Sequence, residues 1–520
     1  TPEPLRWESE ENTTCIAAIE PDPMVVERLG EREASHGAEI GIRRVLILLG
    51  IAVAIVVMGW QCGRYLLVGG YLDHIEGNVV ISGWQYFHGA PLYGSVDGAP
   101  QLATYYGPLA YMLEVPALMV FGADIAASKL TSLSALVATV AIMLWHFRRS
   151  PNRDVGAGLL VLVTGLWFFS PMSYWVRPDP IETLLVAIGL AAAGGRWGAL
   201  ALGVCIGLAV NLKVHAFVYF MPVVIDLWSA NGWRAVMKAA IASGVTFLVP
   251  FLAPGVSLGD YVTALALQLG RRVDHHSLRA VINLVVTLDL PGVAIAFALL
   301  SGARRAAAAE RWYFLSVLAT LLLLLYPSTF PGANAYHLLP AVPVLADAFS
   351  RLPRPNVVGR WSPVALFLFA AAFSFLRPDA MEDLHGARGI IAEALALAER
   401  QSDPTTQIGY GDSQRSYLMS QAARTVLALH GYPALIDAQV TMELRYIGVD
   451  GSARWIPDLV SCRLGHWLLP KGEQPFAVPS YYDNKPVFSA DFRHAFLENY
   501  RRTESSGYFD VWTCAPPARG

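Results

Sequence analysis

Gly41 to Val68 reads GIRRVLILLGIAVAIVVMGWQCGRYLLV, and ten further apolar segments follow it. They lie near 128–147, 156–173, 179–194, 198–212, 214–230, 235–252, 279–300, 312–327, 335–349 and 361–376. A run of about 20 apolar residues crosses roughly 30 Å of hydrocarbon at about 1.5 Å per residue, so the pattern predicts a polytopic α-helical membrane protein with about eleven spans. Some segments are short, and the windows around 179–230 divide in more than one way. With 54% apolar and only 15% charged residues, the chain falls well below the roughly 25% charge of a soluble globule. The first stretch begins forty residues in and exceeds a signal-peptide h-region, which argues against a cleavable signal peptide there. The sequence begins at Thr1 rather than Met, leaving room for a preceding leader.

Residues 1–40 carry ten acidic and three basic side chains with almost no apolar periodicity, and read as an acidic cytoplasmic tail. A formal net charge of −3 excludes a nucleic-acid binder built on charge. Short basic links prefer the cytoplasmic side. With Arg43 and Arg44 placed there, residues 102–122 must not fully cross. The other inside links then hold Arg148, Arg149 and Arg153; Arg196; Arg234 and Lys238; Arg304, Arg305 and Arg311; and Arg351, Arg354 and Arg360. Pro108, Glu114 and Pro116 also make 102–122 a poor continuous span, so it is expected as a helix at the outer surface or dipping partway in.

This parity makes 41–376 a transmembrane domain with an outer loop at 69–127, and puts 377–520 outside as a small mixed α/β extracytoplasmic (periplasmic) domain. GIIAEALALAER and RSYLMSQAARTVLALHGY have helical periodicity, while QIGYGDSQ and ELRYIGVD suggest short strand-turn segments. Cys462 and Cys514 are the two cysteines of that region, where a disulfide is permitted. The sequence holds no CxxC, CxxH, HExxH or nucleotide-binding glycine pattern, so zinc, ATP and nicotinamide chemistry have no sequence support.

Polar residues collect at the outer ends of the segments. Asp73 and Glu76, three apart in LDHIEG, would share a face if helical; either could deprotonate an acceptor hydroxyl or hold a divalent ion, and both would also suit an ordinary surface pair near a helix N-terminus. Arg177 and Asp179 sit in a Pro-stiffened turn, where the arginine could simply neutralise Asp179 or Glu182. Lys213 and His215 interrupt apolar sequence; a lysine there could snorkel or hold a phosphate. Arg271, Arg272, His275 and His276 put positive charge where topology disfavours it, which suits an anionic headgroup or lipid phosphate, although Asp274 could offset part of it. Asn334, Tyr336 and His337 open another segment and could line one polar wall.

The order of these features resembles the GT-C superfamily, polytopic glycosyltransferases that use polyprenyl-phosphate-linked sugars and include protein O-mannosyltransferases and the aminoarabinose transferases of lipid A. The resemblance spans most of residues 41–376. It rests on D-H-I-E-G at 73–77, WQYFHGAPLY at 84–93, YYGPLAY at 105–111, Asp179, Lys213 and the H-x-x-P-x-x-P pattern of HLLPAVP at 337–343. Many relatives have adjacent Asp-Glu in the first loop, whereas His74 and Ile75 separate Asp73 from Glu76 here, which leaves open which acid matches theirs.

The resemblance implies a GT-C fold; the Ala-rich, Arg-over-Lys composition suggests a bacterial source, and the charge parity then places the protein in the inner membrane with site and C-terminal domain facing outward. It implies an inverting sugar transfer from a polyprenyl phosphate to an envelope lipid, glycan or protein. Asp73 is the first choice for base, with Glu76 positioning the acceptor or a cation, and Lys213, Arg271, Arg272, His275 and His276 holding the donor phosphate. No cofactor is required, and a divalent cation stays open. The alternatives are another lipid-headgroup transferase, or a transporter or flippase. Against the latter, no paired repeat is apparent and the polarity lies at one end of the segments.

Overall fold

The computed structural model describes residues 23–94, 106–269, 279, 282–283, 289–330, 335–352, 357–377 and 379–515. The chain divides into two compact units, Thr1–Leu46 and Ile47–Gly520; the site described below lies wholly within the second. The described structure is mostly helical, with one small sheet near the C-terminus.

Among the described residues, four helical stretches are long and apolar enough to cross a membrane: Gly41–Leu67, Ile125–Arg149, Trp233–Leu252 and Ala308–Thr329. Helix α1 (Pro23–Leu67) contains the first of these. Next come α2 (His74–Phe87), α3 (Pro108–Met112), α4 (Val115–Phe121) and α5 (Ile125–Arg149). They are followed by α6 (Val155–Phe168), α7 (Pro178–Ala193) and α8 (Gly198–Leu212). Several expected segments are therefore helices shorter than a full span. Two others begin irregularly. The 214–230 segment starts as a 3-10 turn at Val214–Phe220 before the helix Met221–Asn231, and 335–349 starts as a 3-10 turn at Ala335–Ala341 before Val342–Arg351. Proline explains both breaks: Pro222 and Pro343 lie in the first turns of the following helices, and Pro340 lies inside the second 3-10 turn. The expected 279–300 segment lies partly outside the described residues, which resume as the helix Asp289–Arg305.

In the described part of 102–122, α3 and α4 are separate helices with a break at Leu113–Glu114, each with proline in its first turn. The entry to α3 lies against the end of α8: Gly107 N donates to Leu212 O at 3.1 Å, and Leu109 N donates to Asn211 Oδ1 at 3.0 Å. A Cβ at Gly107 would overlap the Asn211 carbonyl oxygen, so this approach requires glycine.

The C-terminal region forms a four-stranded sheet, order β1-β2-β4-β3, from β1 (Gln407–Ile408), β2 (His466–Pro470), β3 (Tyr500–Ser505) and β4 (Phe509–Cys514). β1 runs parallel to β2, and β4 is antiparallel to both its neighbours. A core built around Trp467, Phe476, Phe488, Phe492, Phe496 and Tyr500 packs beside it. Cys462 and Cys514 are disulfide-bonded, with Cα atoms 5.7 Å apart. GIIAEALALAER and RSYLMSQAARTVLALHGY supply the helices Ala387–Gln401 and Gln414–Leu429 as expected. ELRYIGVD does not form the expected strand. Its first half completes the helix Ala438–Tyr446, because Asp437 caps that helix by accepting from Val440 N at 2.8 Å. Gly448, at φ 88°, then turns the chain away.

The Gln414–Leu429 helix packs on α2. Tyr71, Val80, Ala422, Val426 and Leu429 share one apolar cluster, and buried Arg424 donates to Asn78 Oδ1 at 2.9 Å while pairing with Asp437 at 2.8 Å. At the ends of α5 and α6 remote from α2, a second clasp surrounds buried Asp347, which meets His146 at 2.9 Å, Arg153 at 2.8 Å, Tyr313 at 2.6 Å and Arg351 at 2.8 Å.

Candidate active site

The segment Leu72–Glu76 builds a capping box from local sequence. Asp73, in extended conformation, is the N-cap of α2, and its Oδ1 accepts from Ile75 N at 2.8 Å. Glu76 reaches back: its Oε1 accepts from Leu72 N at 2.7 Å and Asp73 N at 2.8 Å. Its Oε2 accepts from Val176 N at 2.8 Å and from the Tyr65 hydroxyl. Glu76 is 0% exposed, so its carboxyl joins the end of α1, the start of α2 and the approach to α7. Burial pushes that carboxyl above its ordinary value, by more than the bonds from Tyr65 and Val176 lower it. The two acids thus meet at a helix N-terminus, but Glu76 is not the surface residue its sequence context allowed.

Asp73 keeps an 18% exposed side chain. Burial alone would raise its carboxyl, but neighbouring His74 and Arg177 and the Ile75 N–H outweigh it and hold the group below its usual range. Arg177 is the N-cap residue of α7, and Pro178 after it sets the turn. Its guanidinium lies 3.5 Å from Asp73 Oδ2 and 3.8 Å from Asp179 Oδ2. It is held between aromatic faces, 4.2 Å from the Trp175 ring centre and 4.5 Å from that of Tyr336.

Lys213 follows the last residue of α8, pairs with Asp179 Oδ1, and lies 3.7 Å from Glu182 Oε2, one turn deeper in α7. The Tyr106 and Tyr336 ring centres are 5.7 and 5.2 Å from its ammonium. Arg177 Nε, Asp179 Oδ2 and both Glu182 oxygens are buried without hydrogen-bond partners among the described residues. Beyond Tyr336, whose ring is 4.5 Å from that of His337, His337 Nδ1 faces His215 Nε2 at 3.2 Å, and Tyr219 donates to the His337 carbonyl at 2.9 Å.

Asp73, Arg177, Asp179, Lys213 and Tyr336 therefore form one buried array, with His215 and His337 behind it. Arg271, Arg272, His275, His276 and Asn334 lie outside the described residues. Sequence reasoning passed over Trp175 and the tyrosines 65, 106 and 219 as site-builders; the signal available was the aromatic density of YYGPLAY and SYWVRP. It also missed His74, whose ring lies 5.7 Å from Tyr417 and 5.6 Å from Tyr481 of the C-terminal region. Among the described residues, no three His, Cys, Asp or Glu side chains gather as a metal site.

The 3-10 turn Ala335–Ala341 has two different sides. Tyr336 and His337 meet the charged array, whereas Leu338 and Ala341 line an apolar cavity of about 330 Å³ shared with Phe169, Leu318, Val342 and Phe369. The array and the cavity thus lie on two sides of one short turn.

No family model matches the chain, and no curated protein sequence does. Solved structures similar to it include two of one protein. One is the crystal structure of ArnT from Cupriavidus metallidurans bound to undecaprenyl phosphate, at a TM-score of 0.44 and 14% identity, covering 79% of each chain. The other is the same protein in the apo state, at a TM-score of 0.43, with the same identity and coverage.

Proposed function

We propose that this chain is a GT-C-type membrane glycosyltransferase that moves a sugar from a polyprenyl phosphate to a lipid, glycan or protein acceptor at the outer face of a bacterial inner membrane. The observation that carries this reading is the 335–341 turn, where a buried cationic and aromatic array adjoins an apolar cavity. A lipid-linked phosphate has that same division of polarity.

In this reading Asp73 is the general base. It is the partly exposed member of a group of carboxylates whose other members, Glu76, Asp179 and Glu182, are fully buried. It accepts the acceptor hydroxyl's proton as the oxygen attacks the anomeric carbon. The bond from that carbon to the phosphate oxygen breaks on the opposite face, and its electron pair leaves with the lipid phosphate, which inverts the sugar. Negative charge grows on that phosphate, where Arg177 and Lys213 supply positive charge at little reorganisation cost. Arg271 and Arg272, with His275 and His276, are proposed as further phosphate contacts on charge alone. Glu76 is a positioning residue, since its lone pairs are spent on four protein donors.

The eleven-span topology is part of the proposal, with 69–127 and 377–520 both outside. The contacts of His74 with Tyr417 and Tyr481 support it, since segments that touch share a side of the membrane. The test incubates purified protein with a panel of radiolabelled polyprenyl-phosphate sugars and envelope lipids. Product formed by the native chain and lost in Asp73→Asn supports transfer, and absence of product across the panel overturns it.

A further inference from the structure

A second cavity, of about 440 Å³, lies in the C-terminal region, away from the array described above. It is lined by the end of the Ala438–Tyr446 helix and its following turn, by Lys485–Ser489, and by the first turn of the helix Ala490–Asn499. Its charged lining is Arg445, Lys485 and Arg493 against a single carboxylate, Asp450.

These charges do different jobs. Arg445 is structural: it donates to the Pro486 carbonyl and pairs with Asp483 at 3.1 Å, pinning a tight loop closed by the Pro479–Pro486 bridge. Asp450 is also occupied, accepting from Ser452 N at 2.9 Å and Ser452 Oγ at 2.6 Å. Arg493 is different. It is half-buried, its Nε is fully buried, and its guanidinium has no hydrogen bond or ion pair among the described residues. The exposed Lys485 ammonium likewise has no partner there. At the same wall the 490–499 helix begins, with Ser489 Oγ accepting from Phe492 N at 3.3 Å. That leaves the N–H of Ala490, at the cavity wall, without an acceptor among the described residues. A buried guanidinium nitrogen costs free energy unless something accepts from it.

We infer that this cavity is a binding site for a phosphate group, held by Arg493, Lys485 and the Ala490 N–H at the start of the 490–499 helix. Phosphate fits the donor set: a planar guanidinium engages two oxygens, the ammonium a third, and a helix N-terminus favours the negative charge. The loop that carries Lys485 also carries Tyr481, whose ring lies 5.6 Å from that of His74 beside Asp73. A phosphorylated molecule held here is thus anchored on a loop that reaches the candidate active site. The inference concerns binding, and it holds or fails whether or not the chain transfers a sugar.

The test titrates the full chain in neutral detergent, by calorimetry, with two probes: pyrophosphate as a free phosphate source, and dioctanoyl phosphatidylglycerol as a lipid headgroup. The native chain and Lys485→Gln/Arg493→Gln are compared, with Arg493→Lys as the milder change. Lys485 is exposed and Arg493 half-buried, and thermal unfolding checks that each variant is folded. The expected result is pyrophosphate binding that weakens about tenfold or more in the double variant, with Arg493→Lys intermediate. Tighter binding of the short-chain lipid than of pyrophosphate, lost in the same variants, assigns the site to headgroups; equal or weaker lipid binding assigns it to soluble phosphorylated molecules. Undetectable binding of both probes by the native chain, or unchanged affinity in a folded double variant, overturns the inference.

Discussion

Asp73 Oδ2 lies 3.5 Å from the Arg177 guanidinium, which the Trp175 and Tyr336 rings flank at 4.2 and 4.5 Å. The charge that steadies the candidate base therefore comes from a side chain with little freedom to move. Replacing the carboxylate removes a proton acceptor at the partly exposed end of the array while leaving its packing nearly intact. Asp73→Asn is expected to lower turnover by about 10²–10⁴ with little change in melting temperature. Full turnover in a folded, membrane-inserted D73N preparation would remove Asp73 as base.

Glu76→Gln is expected to act through stability. Four donors converge on the Glu76 carboxyl, and an amide offers one oxygen and brings hydrogens of its own. The variant should melt earlier and yield less protein, with whatever inserts correctly keeping much of its turnover. A normally stable but inactive E76Q would move the base assignment to Glu76.

The Asp179–Lys213 pair is buried, so breaking it leaves the ammonium with Glu182 at 3.7 Å as its remaining carboxylate and with little access to water. Asp179→Asn is expected to cost about 3–5 kcal/mol. An apolar double replacement, Asp179→Leu with Lys213→Met, should recover much of that stability without recovering transfer. Equal melting of the native chain and D179N in the same detergent would refute the burial argument.

Glu114, between α3 and α4, is buried, and burial pushes its carboxyl up to about 8, by more than Thr131 lowers it. A carboxyl raised on folding contributes stability fully below its unfolded value of about 4.3, and loses that contribution as pH rises through the folded value. Glu114→Gln should therefore melt above the native chain at pH 9 and converge with it near pH 5. Asp73 shifts the other way: held below its usual range, it should stay ionised, with transfer that depends on it flat from pH 7 to about pH 5. Melting and rate profiles across pH 5–9 check both expectations.

Topology can be tested at exposed positions of the first outer loop and the C-terminal region. His88→Cys and Ser402→Cys are expected to react with a membrane-impermeant thiol reagent from the same, non-cytoplasmic side. Labelling from opposite sides would contradict the eleven-span arrangement.

What the sequence determined by itself was local. Apolar runs marked most helices, because burial in hydrocarbon or in a core needs only the residues of that run. D-H-I-E-G places a cap and its partner three residues apart, near enough to specify a helix start unaided. Prolines 108 and 116 divided an apolar stretch that hydropathy alone would have joined. Even locally, competing signals misled at ELRYIGVD, where strand-forming side chains gave way to the Asp437 cap upstream. Only the tertiary structure separated the roles of Asp73 and Glu76, because what distinguishes them lies far along the chain. The Val176 N–H that saturates Glu76 is 100 residues away, and Lys213 reaches Asp179 across 34. His74, unremarkable in its own sequence context, meets Tyr417 and Tyr481 only after the C-terminal region packs on α2. Charge pairing and aromatic stacking act over a few ångströms of space and carry no record of sequence separation, so no spacing rule could have joined these residues before the chain was folded.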